Sequence, residues 1–162
     1  MKEEQTVAQF LNVKDFPLEI KDNKGNQIYL KDSNGYWSKR EYDDQNNQIY
    51  FEDSDGYWAK REHDDKGNLI YYKDSDGYWY KCDYDAKGNQ IYYETSNRYW
   101  YKCDYDDAGN EIYFENSDGY WEKCEHNAKG NLIYYETSNG HWAKREYDDQ
   151  GNLIVSQIRI KE

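Results

Sequence analysis

The sequence lacks a surplus of positive charge and lacks long hydrophobic runs. Its 162 residues carry 21 Lys and Arg against 33 Asp and Glu, for a net charge of −12. A nucleic-acid backbone needs a Lys/Arg surplus, so direct nucleic-acid binding is not expected, and basic partners are favoured. The opening residues MKEEQTVAQFLNV contain no long apolar run, so we expect neither a signal peptide nor a membrane span. The expected location is the cytoplasm.

Aliphatic residues are also scarce. Ile, Leu, Val and Phe fall below the roughly 20% that, with high net charge, marks disordered chains. Against disorder stand 20 Tyr and six Trp, with a single Pro. Each such aromatic side chain can bury about 150–250 Å². Because these aromatic residues recur at regular spacing, we predict an ordered domain.

The six tryptophans recur at a constant interval of 21 residues: Trp37, Trp58, Trp79, Trp100, Trp121 and Trp142. An interval of this length is typical of repeat proteins. Around each tryptophan the sequence approximates G-N-x-I-Y-[YF]-x-x-S-[DN]-G-Y-W-x-K-[RC]-[ED]-[YH]-D-x-x. The chain therefore contains six tandem copies of one unit.

Each copy predicts a β-hairpin, because two short alternating segments are bounded by D-x-x-G-N and D-S-D-G turns. Because each copy has an odd number of residues, 21, a given position keeps the same face of the sheet in every copy only if one of the two loops has an odd number of residues and the other an even number. A three-residue loop for D-x-x-G-N makes D-S-D-G the even one. This register pairs Ile20 with Ile28 and Leu18 with Leu30, and places Ile28 and Leu30 on the Trp37 face. The alternative parity leaves Trp on the opposite face from Ile.

The predicted fold is all-β: an elongated, twisted antiparallel meander of tandem 21-residue hairpins. The predicted domain layout has three parts: residues 1–24 as a short helix, at residues 7–11, and a capping strand; 25–154 as the six repeats; and 155–162 as a closing strand. A parallel β-solenoid is the alternative. In the meander Cys82 and Cys103 lie two strands, about 9–10 Å, apart and cannot form a disulfide. In a solenoid they would stack at about 4.8 Å.

Part of each unit resembles a known repeat family. The run Arg145 to Leu153, REYDDQGNL, is similar to the tyrosine–aspartate (YD, or Rhs-type) repeat of bacterial and phage-associated proteins. Matching segments recur at residues 40–43 and 84–89. The S-[DN]-G-Y-W half departs from that pattern and looks more like the aromatic hairpins of choline- or glucan-binding repeats. The resemblance implies a β-repeat scaffold and a phage or bacterial setting.

No catalytic constellation emerges from the sequence. His63 and His126 take the position of Tyr42 in their copies, and His141 takes that of Tyr36, so we interpret them as aromatic replacements. The D-S-D-G turns are too short for a calcium loop and lack its later Glu. We therefore predict no enzyme activity, no metal and no cofactor.

Two features are candidates for partner binding. Aspartates recur at both hairpin ends, and tyrosines concentrate in the middle copies, where Arg98 also replaces the turn glycine. Tyrosine-rich patches suit protein contacts, although the same rings could fill a core. The candidate residues are Tyr78, Tyr80, Tyr99, Tyr101, Arg98, Asp55, Asp76, Asp118, Asp64, Asp65, Asp85, Asp106 and Asp107.

These features lead to a hypothesis of a non-enzymatic scaffold that binds a protein with a basic surface. In its most specific form the protein is a phage- or mobile-element-encoded inhibitor of a host defence or nucleic-acid-binding factor. Its acidic surface would then imitate the phosphates of a nucleic acid. The protein would act in the host cytoplasm. The alternative is a carbohydrate-binding module that stacks sugars on Tyr and Trp.

Overall fold

The computed structural model describes residues 15–159, which form an all-β fold of antiparallel strands. The chain divides into a first unit up to Trp79 and a second unit from Tyr80. Strand order follows the chain from β1 to β14, and every registered pair of neighbours is antiparallel. This confirms the predicted antiparallel meander and excludes the parallel solenoid. The short helix predicted near residues 7–11 lies outside the described residues.

Six strands belong to the first unit. They are β1 (Leu18–Lys21), β2 (Gln27–Lys31), β3 (Trp37–Tyr42), β4 (Gln48–Asp53), β5 (Trp58–His63) and β6 (Leu69–Asp74). The remaining eight strands are β7 (Trp79–Tyr84), β8 (Gln90–Thr95), β9 (Trp100–Tyr105), β10 (Glu111–Asn116), β11 (Trp121–His126), β12 (Leu132–Thr137), β13 (Trp142–Tyr147) and β14 (Leu153–Arg159). The closing strand thus begins at Leu153, two residues before the predicted boundary. Among the described residues, no helix has the length and apolarity needed to cross a bilayer.

Both kinds of turn share one backbone geometry. In each five-residue turn the first N–H donates to the fifth carbonyl, and the fourth N–H donates to the first carbonyl. These distances are 2.9 and 3.1 Å for residues 43–47, and 2.9 and 3.2 Å for residues 53–57. Both loops are therefore odd, and the prediction of an even D-S-D-G loop was wrong.

A β-bulge in each copy restores the parity that two odd loops would break. Tyr50 lies opposite Glu41, but Gln48 lies opposite Tyr42, which leaves Ile49 as the extra residue. Corresponding register shifts occur in the other copies. An extra residue in one strand shifts every later pair by one position. The repeat keeps its faces constant through the bulge and not through a change of loop length.

The odd D-S-x-G loop, together with the bulge, corrects the predicted faces. Tyr29 pairs with Lys39 and with Ile20, while Leu30 pairs with Ser38. Leu18 lies opposite Lys31 and not opposite Leu30. We call the side carrying Trp37, Lys39 and the tyrosines equivalent to Tyr29 the Trp face. Leu30 belongs to the opposite side, together with Ser38 and Arg40.

This opposite side, the packed face, holds most of the buried residues. Ser38 and Ala59 have no exposed surface, and Ala143 is 1% exposed. Cys82 and Cys103 are also buried on this face, and both are free thiols. The core of each unit is therefore a layer of small and aromatic side chains on one side of the strands.

Candidate functional site

Aromatic rings on the packed face are covered in two alternative ways. Where a copy has a small residue and an arginine, the guanidinium lies over an aromatic ring of a neighbouring strand. Arg40 is 5.3 Å from the centroid of Phe51, and Arg61 is 5.4 Å from that of Tyr72. Such cation–π contacts contribute about 0.5–1 kcal/mol at exposed sites and more when desolvated. The arginine side chain therefore covers an aromatic ring on the packed face.

In the middle copies a stack of aromatic rings, within the second unit, takes the place of this arginine. Tyr93 packs against Tyr80 at 5.6 Å and against Tyr101 at 5.3 Å, and Tyr101 packs on Phe114 at 5.7 Å. Tyr80 and Tyr101 occupy the position of Ala59, and cysteines occupy that of Arg61. The small, buried cysteine leaves room for the larger ring. Tyrosine with cysteine thus substitutes for alanine with arginine.

This packing bears on the predicted tyrosine patch. Tyr99 lies 6.3 Å from Tyr101, and the Tyr101 hydroxyl donates to Gln90 Oε1 at 2.9 Å. Tyr80, Tyr99 and Tyr101 are each half-buried. Tyr78 belongs to the first unit, where it contacts Tyr72 at 6.4 Å and is 39% exposed. The second-unit tyrosines therefore serve packing, whereas Tyr78 presents a ring to solvent.

The predicted turn aspartates fall into two groups. Asp64, Asp85 and Asp106 open D-x-x-G-N turns and hold them closed. Asp64 Oδ1 accepts hydrogen bonds from the N–H groups of Lys66 and Asn68 at 2.9 and 2.8 Å, and Asp64 Oδ2 accepts one from Asn68 Nδ2 at 2.9 Å. The hydrogen bond from the side-chain amide of Asn68 holds the pKa of the Asp64 carboxyl below its usual range. These carboxylates are charged, but their oxygens are engaged within the turn.

The other predicted aspartates, Asp55, Asp65, Asp76, Asp107 and Asp118, are exposed. Asp107 also forms an ion pair with Lys87 at 3.4 Å. Lysines are common in the D-x-x-G-N turns, where Lys24 and Lys87 also donate to the backbone carbonyls of Asp44 and Asp107. Negative charge at that end of the hairpins is therefore partly compensated.

The D-S-D-G turns of the first unit are different. Three consecutive turns, residues 32–36, 53–57 and 74–78, contain five aspartates and no basic residue. We call these three turns the acidic edge; its carboxylates belong to Asp32, Asp53, Asp55, Asp74 and Asp76. The equivalent turns of the second unit carry a single aspartate, Asp118, and include Arg98. Among the turns of this kind, aspartate is thus concentrated in the first unit.

Hydrogen bonds fix the acidic edge from within. Asp53 Oδ1 accepts from the N–H groups of Asp55 and Tyr57 at 3.0 and 3.1 Å. The N–H of Ser54 donates to the carbonyl of Trp37 at 2.9 Å, which ties the turn to the preceding hairpin. Ser75 and Trp58 repeat this bond at 2.9 Å. The exposed carboxylates of the acidic edge therefore project from turns with little backbone freedom.

Tyrosines support the acidic edge. The hydroxyls of Tyr57 and Tyr72 lie 2.7 Å apart, and the Tyr72 hydroxyl donates to Asp74 Oδ2 at 3.3 Å. Burial and the bond to Tyr57 raise the pKa of Tyr72. Asp74 is only 8% exposed. This chain of hydroxyls positions Asp74, while Asp55 and Asp76 remain open to solvent.

Sequence reasoning named both hairpin ends as acidic and missed the difference between the two units. The signal was available, because the first three D-S-x-G turns contain five aspartates and the equivalent turns of the second unit contain one. It also missed the supporting role of Tyr57 and Tyr72, which depends on the register that the bulge creates.

The Trp face bears on sugar stacking. Lysine ammonium groups lie over the indoles of Trp37, Trp58, Trp100 and Trp121 at 5.0–5.7 Å from the ring centroids. A sugar that stacks on an indole needs the ring face that the lysine occupies. A sugar would have to displace the lysines to stack on these four indoles, whereas in the sixth copy Lys144 lies over Tyr134 at 5.8 Å.

In the second unit a shallow groove is lined by residues of several strands, among them Asp104, Ile112, Tyr113, Lys123, Cys124, Glu125, His126 and Tyr134. Its charges are mixed. Cys124 and His126 both line it, but the Cys124 thiol donates to Glu122 Oε1 at 3.2 Å, and burial together with that bond raises the pKa of the thiol, which disfavours the thiolate that a nucleophile needs. Among residues 15–159, no group of three or more His, Cys, Asp or Glu side chains is placed to hold a metal ion. The acidic edge of the first unit is therefore the strongest candidate site.

Comparison with known proteins gives structural matches only. No protein-family model and no curated protein matches the sequence. The TcdB2-TccC3 crystal structure matches with a TM-score of 0.61 and 13% identity, over 95% of this chain and 10% of that chain. The TcdB2-TccC3-Cdc42 structure gives 0.58 and 14%, over 98% and 10%. The Tc holotoxin pore of Photorhabdus luminescens, with mutant TccC3, gives 0.57 and 14%, over 87% and 9%.

The chain spans about a tenth of the length of these matched chains. At such low identity the similarity concerns the fold alone. The chain is therefore a tandem antiparallel β-repeat scaffold, similar in fold to parts of Tc toxin chains.

Proposed function

We propose that the chain is a non-enzymatic scaffold that binds a protein with a basic surface through the acidic edge of its first unit. The observation that carries this proposal is the placement of Asp55 and Asp76, two exposed carboxylates on successive D-S-D-G turns that contain no basic residue. Asp32, Asp53 and Asp74 add negative charge beside them, although their carboxylates are hydrogen-bonded within the turns. Carboxylates arranged in this way attract a complementary positive patch and accelerate its approach.

The rigidity of these turns supports binding as well as attraction. Equivalent turns are separated by two strands, or about 9–10 Å. Asp55 and Asp76 are exposed at this spacing, and the backbone that carries each of them is fixed by hydrogen bonds. A partner that contacts them does not have to order a mobile loop, so less conformational entropy is lost. Tyr78 adds a partly exposed ring beside Asp76, of the kind enriched in interfaces.

A regular row of carboxylates on a rigid support shares its charge pattern with a nucleic-acid backbone. In the finer form of the proposal, the partner is a host defence or nucleic-acid-binding factor. The acidic edge would occupy its basic cleft and exclude nucleic acid. A phage or mobile element would benefit from encoding such an inhibitor, which is the setting implied by the sequence resemblance to YD repeats.

Two matched double variants test the proposal. Asp55→Asn with Asp76→Asn removes two exposed charges from the acidic edge. Asp44→Asn with Asp65→Asn removes two exposed charges from the D-x-x-G-N turns of the same unit, so both variants have the same net charge. Each tagged protein is used to capture proteins from bacterial lysate at low and high salt, with nuclease treatment.

The expected result is a basic protein that wild type and the control variant retain at low salt and that the acidic-edge variant loses. Added double-stranded DNA should compete with the wild type for that protein. Equal loss in both double variants would mean that net charge alone is responsible, and would refute the acidic edge as a site. Capture that is insensitive to both variants would refute it as well.

A further inference from the structure

β14 differs from the preceding strands in its exposure. All seven of its residues are exposed, including Leu153 at 53%, Ile154 at 62% and Ile158 at 61%. Among residues 15–159 it is the last strand in the order, and it pairs with β13. An exposed apolar edge strand is a template for pairing with another chain. We propose that β14 is a self-association edge, through which two copies of this chain pair antiparallel into a twofold dimer.

Charge favours this strand as the contact between two acidic molecules. From Leu153 to Ile158 the strand contains no charged residue, and its one charge is Arg159. The strands before it place charged residues within the ladder, as β13 does with Lys144, Arg145 and Glu146. In a chain with a net charge of −12, two copies meet with least repulsion along an uncharged edge.

The opposite end of the strand order is protected against pairing. β1 has only four residues, and Pro17, which lacks an N–H donor, lies immediately before it. Its Glu19 and Lys21 carry charges on the strand and lie 3.6 Å apart. Short length, proline and charge are the usual means of blocking an edge. Head-to-tail pairing of β14 with β1 is therefore disfavoured, and pairing of β14 with itself is left as the symmetric solution.

Antiparallel self-pairing also satisfies the charge of Arg159. Two antiparallel copies of the strand place the last residue of one beside the first residues of the other. The turn at residues 148–152, which contains Asp148 and the exposed Asp149, directly precedes β14. Arg159 of each copy thus approaches Asp149 of the other, and the twofold axis generates this contact twice. A parallel pairing would place the two arginines together instead.

The size of the edge sets the expected strength. A seven-residue strand buries far less than the roughly 1,600 Å² of a standard interface. Most of its energy comes from the backbone ladder and from the exposed isoleucines. The dimer is accordingly expected to be weak, reversible and dependent on protein concentration.

Sedimentation velocity of the whole chain over a concentration series tests the proposal. Wild type should shift from monomer to dimer and stop there. Ile158→Lys changes an exposed residue in both copies at once, and should weaken dimerisation about a hundredfold with an unchanged melting temperature. The matched control is Phe16→Lys, which adds the same charge at an exposed residue two positions before β1 and should leave dimerisation unaltered.

A charge exchange gives a second, independent readout. Arg159→Asp and Asp149→Arg should each weaken the dimer, and the double exchange should restore it. A wild type that stays monomeric throughout the series would overturn the proposal. Growth beyond the dimer, sensitivity to Phe16→Lys, or failure of the double exchange to restore association would overturn it equally, because each points to a different contact.

Discussion

Replacing Tyr101 tests whether the ring stack of the second unit is part of the core. Its ring lies 5.3 Å from Tyr93, 5.7 Å from Phe114 and 6.3 Å from Tyr99, and its hydroxyl bonds to Gln90. Aromatic pairs contribute about 0.5–1.5 kcal/mol each beyond their buried area. Truncation of a large aromatic core residue to alanine costs about 3–5 kcal/mol. Because Tyr101 is half-buried, we expect Tyr101→Ala to cost about 3 kcal/mol.

Urea denaturation followed by tryptophan fluorescence and circular dichroism measures this loss. Tyr101→Phe separates the hydroxyl from the ring, and should cost about 1 kcal/mol because it removes one hydrogen bond. Tyr78→Ala is the control, since that ring is 39% exposed, and should cost clearly less than Tyr101→Ala. If Tyr101→Ala destabilised the protein by less than Tyr78→Ala, the ring would not be a core residue and the stack would be free to bind a partner.

Three further predictions concern the turns and thiols. Arg98 has a φ of 71°, where the equivalent turn residues are mostly glycine, so Arg98→Gly should raise stability by about 0.5–1 kcal/mol in thermal melts, after allowance for the more flexible unfolded chain. Burial raises the pKa of Cys82, and that of Cys103 to about 11; both should resist iodoacetamide until denaturant exposes them. Six aspartates at the first position of a turn have pKa values lowered chiefly by a hydrogen bond from an asparagine side-chain amide. They therefore stabilise the folded protein fully above their pKa in the unfolded chain, about 4, and this stabilisation is lost as the pH falls through their lower pKa values in the folded protein. The melting temperature should therefore decrease as the pH is lowered beneath about 4. A melting temperature that stays constant in this pH range would show that these aspartates do not stabilise the fold through their charged form. These aspartates are Asp22, Asp43, Asp64, Asp85, Asp106 and Asp148.

The strand pattern and the positions of the turns, though not the length of the D-S-D-G loop, could be predicted from the sequence because both depend on local chemistry. Alternating residues between turn motifs specify antiparallel hairpins, and the glycine positions specify where φ must be positive. Arg98 confirms this, since it adopts the conformation expected of the glycine that it replaces. The antiparallel order of the strands likewise follows from the short connections.

The faces could not be predicted in the same way. No turn-forming residue marks the bulge at Ile49 in the sequence, and an isoleucine at this position is equally compatible with a regular strand. The three-residue D-S-N-G loop between β2 and β3 places Tyr29 on the Trp face and Leu30 on the packed face, and the bulge keeps these faces the same in later copies. The exchange of alanine with arginine for tyrosine with cysteine was visible in the sequence, but its meaning required knowing that both positions face the same aromatic ring.

The bulge has a consequence for how such a protein can change in length. Removing a single strand and turn would delete either the bulged strand or its partner, and the side chains beyond that point would appear on the wrong sides. Gain or loss of a complete 21-residue copy leaves the two faces, the two kinds of turn and both terminal strands as they were. Genetic duplication or deletion in whole copies can therefore lengthen or shorten the array without redesigning it, while any other insertion must be confined to a turn.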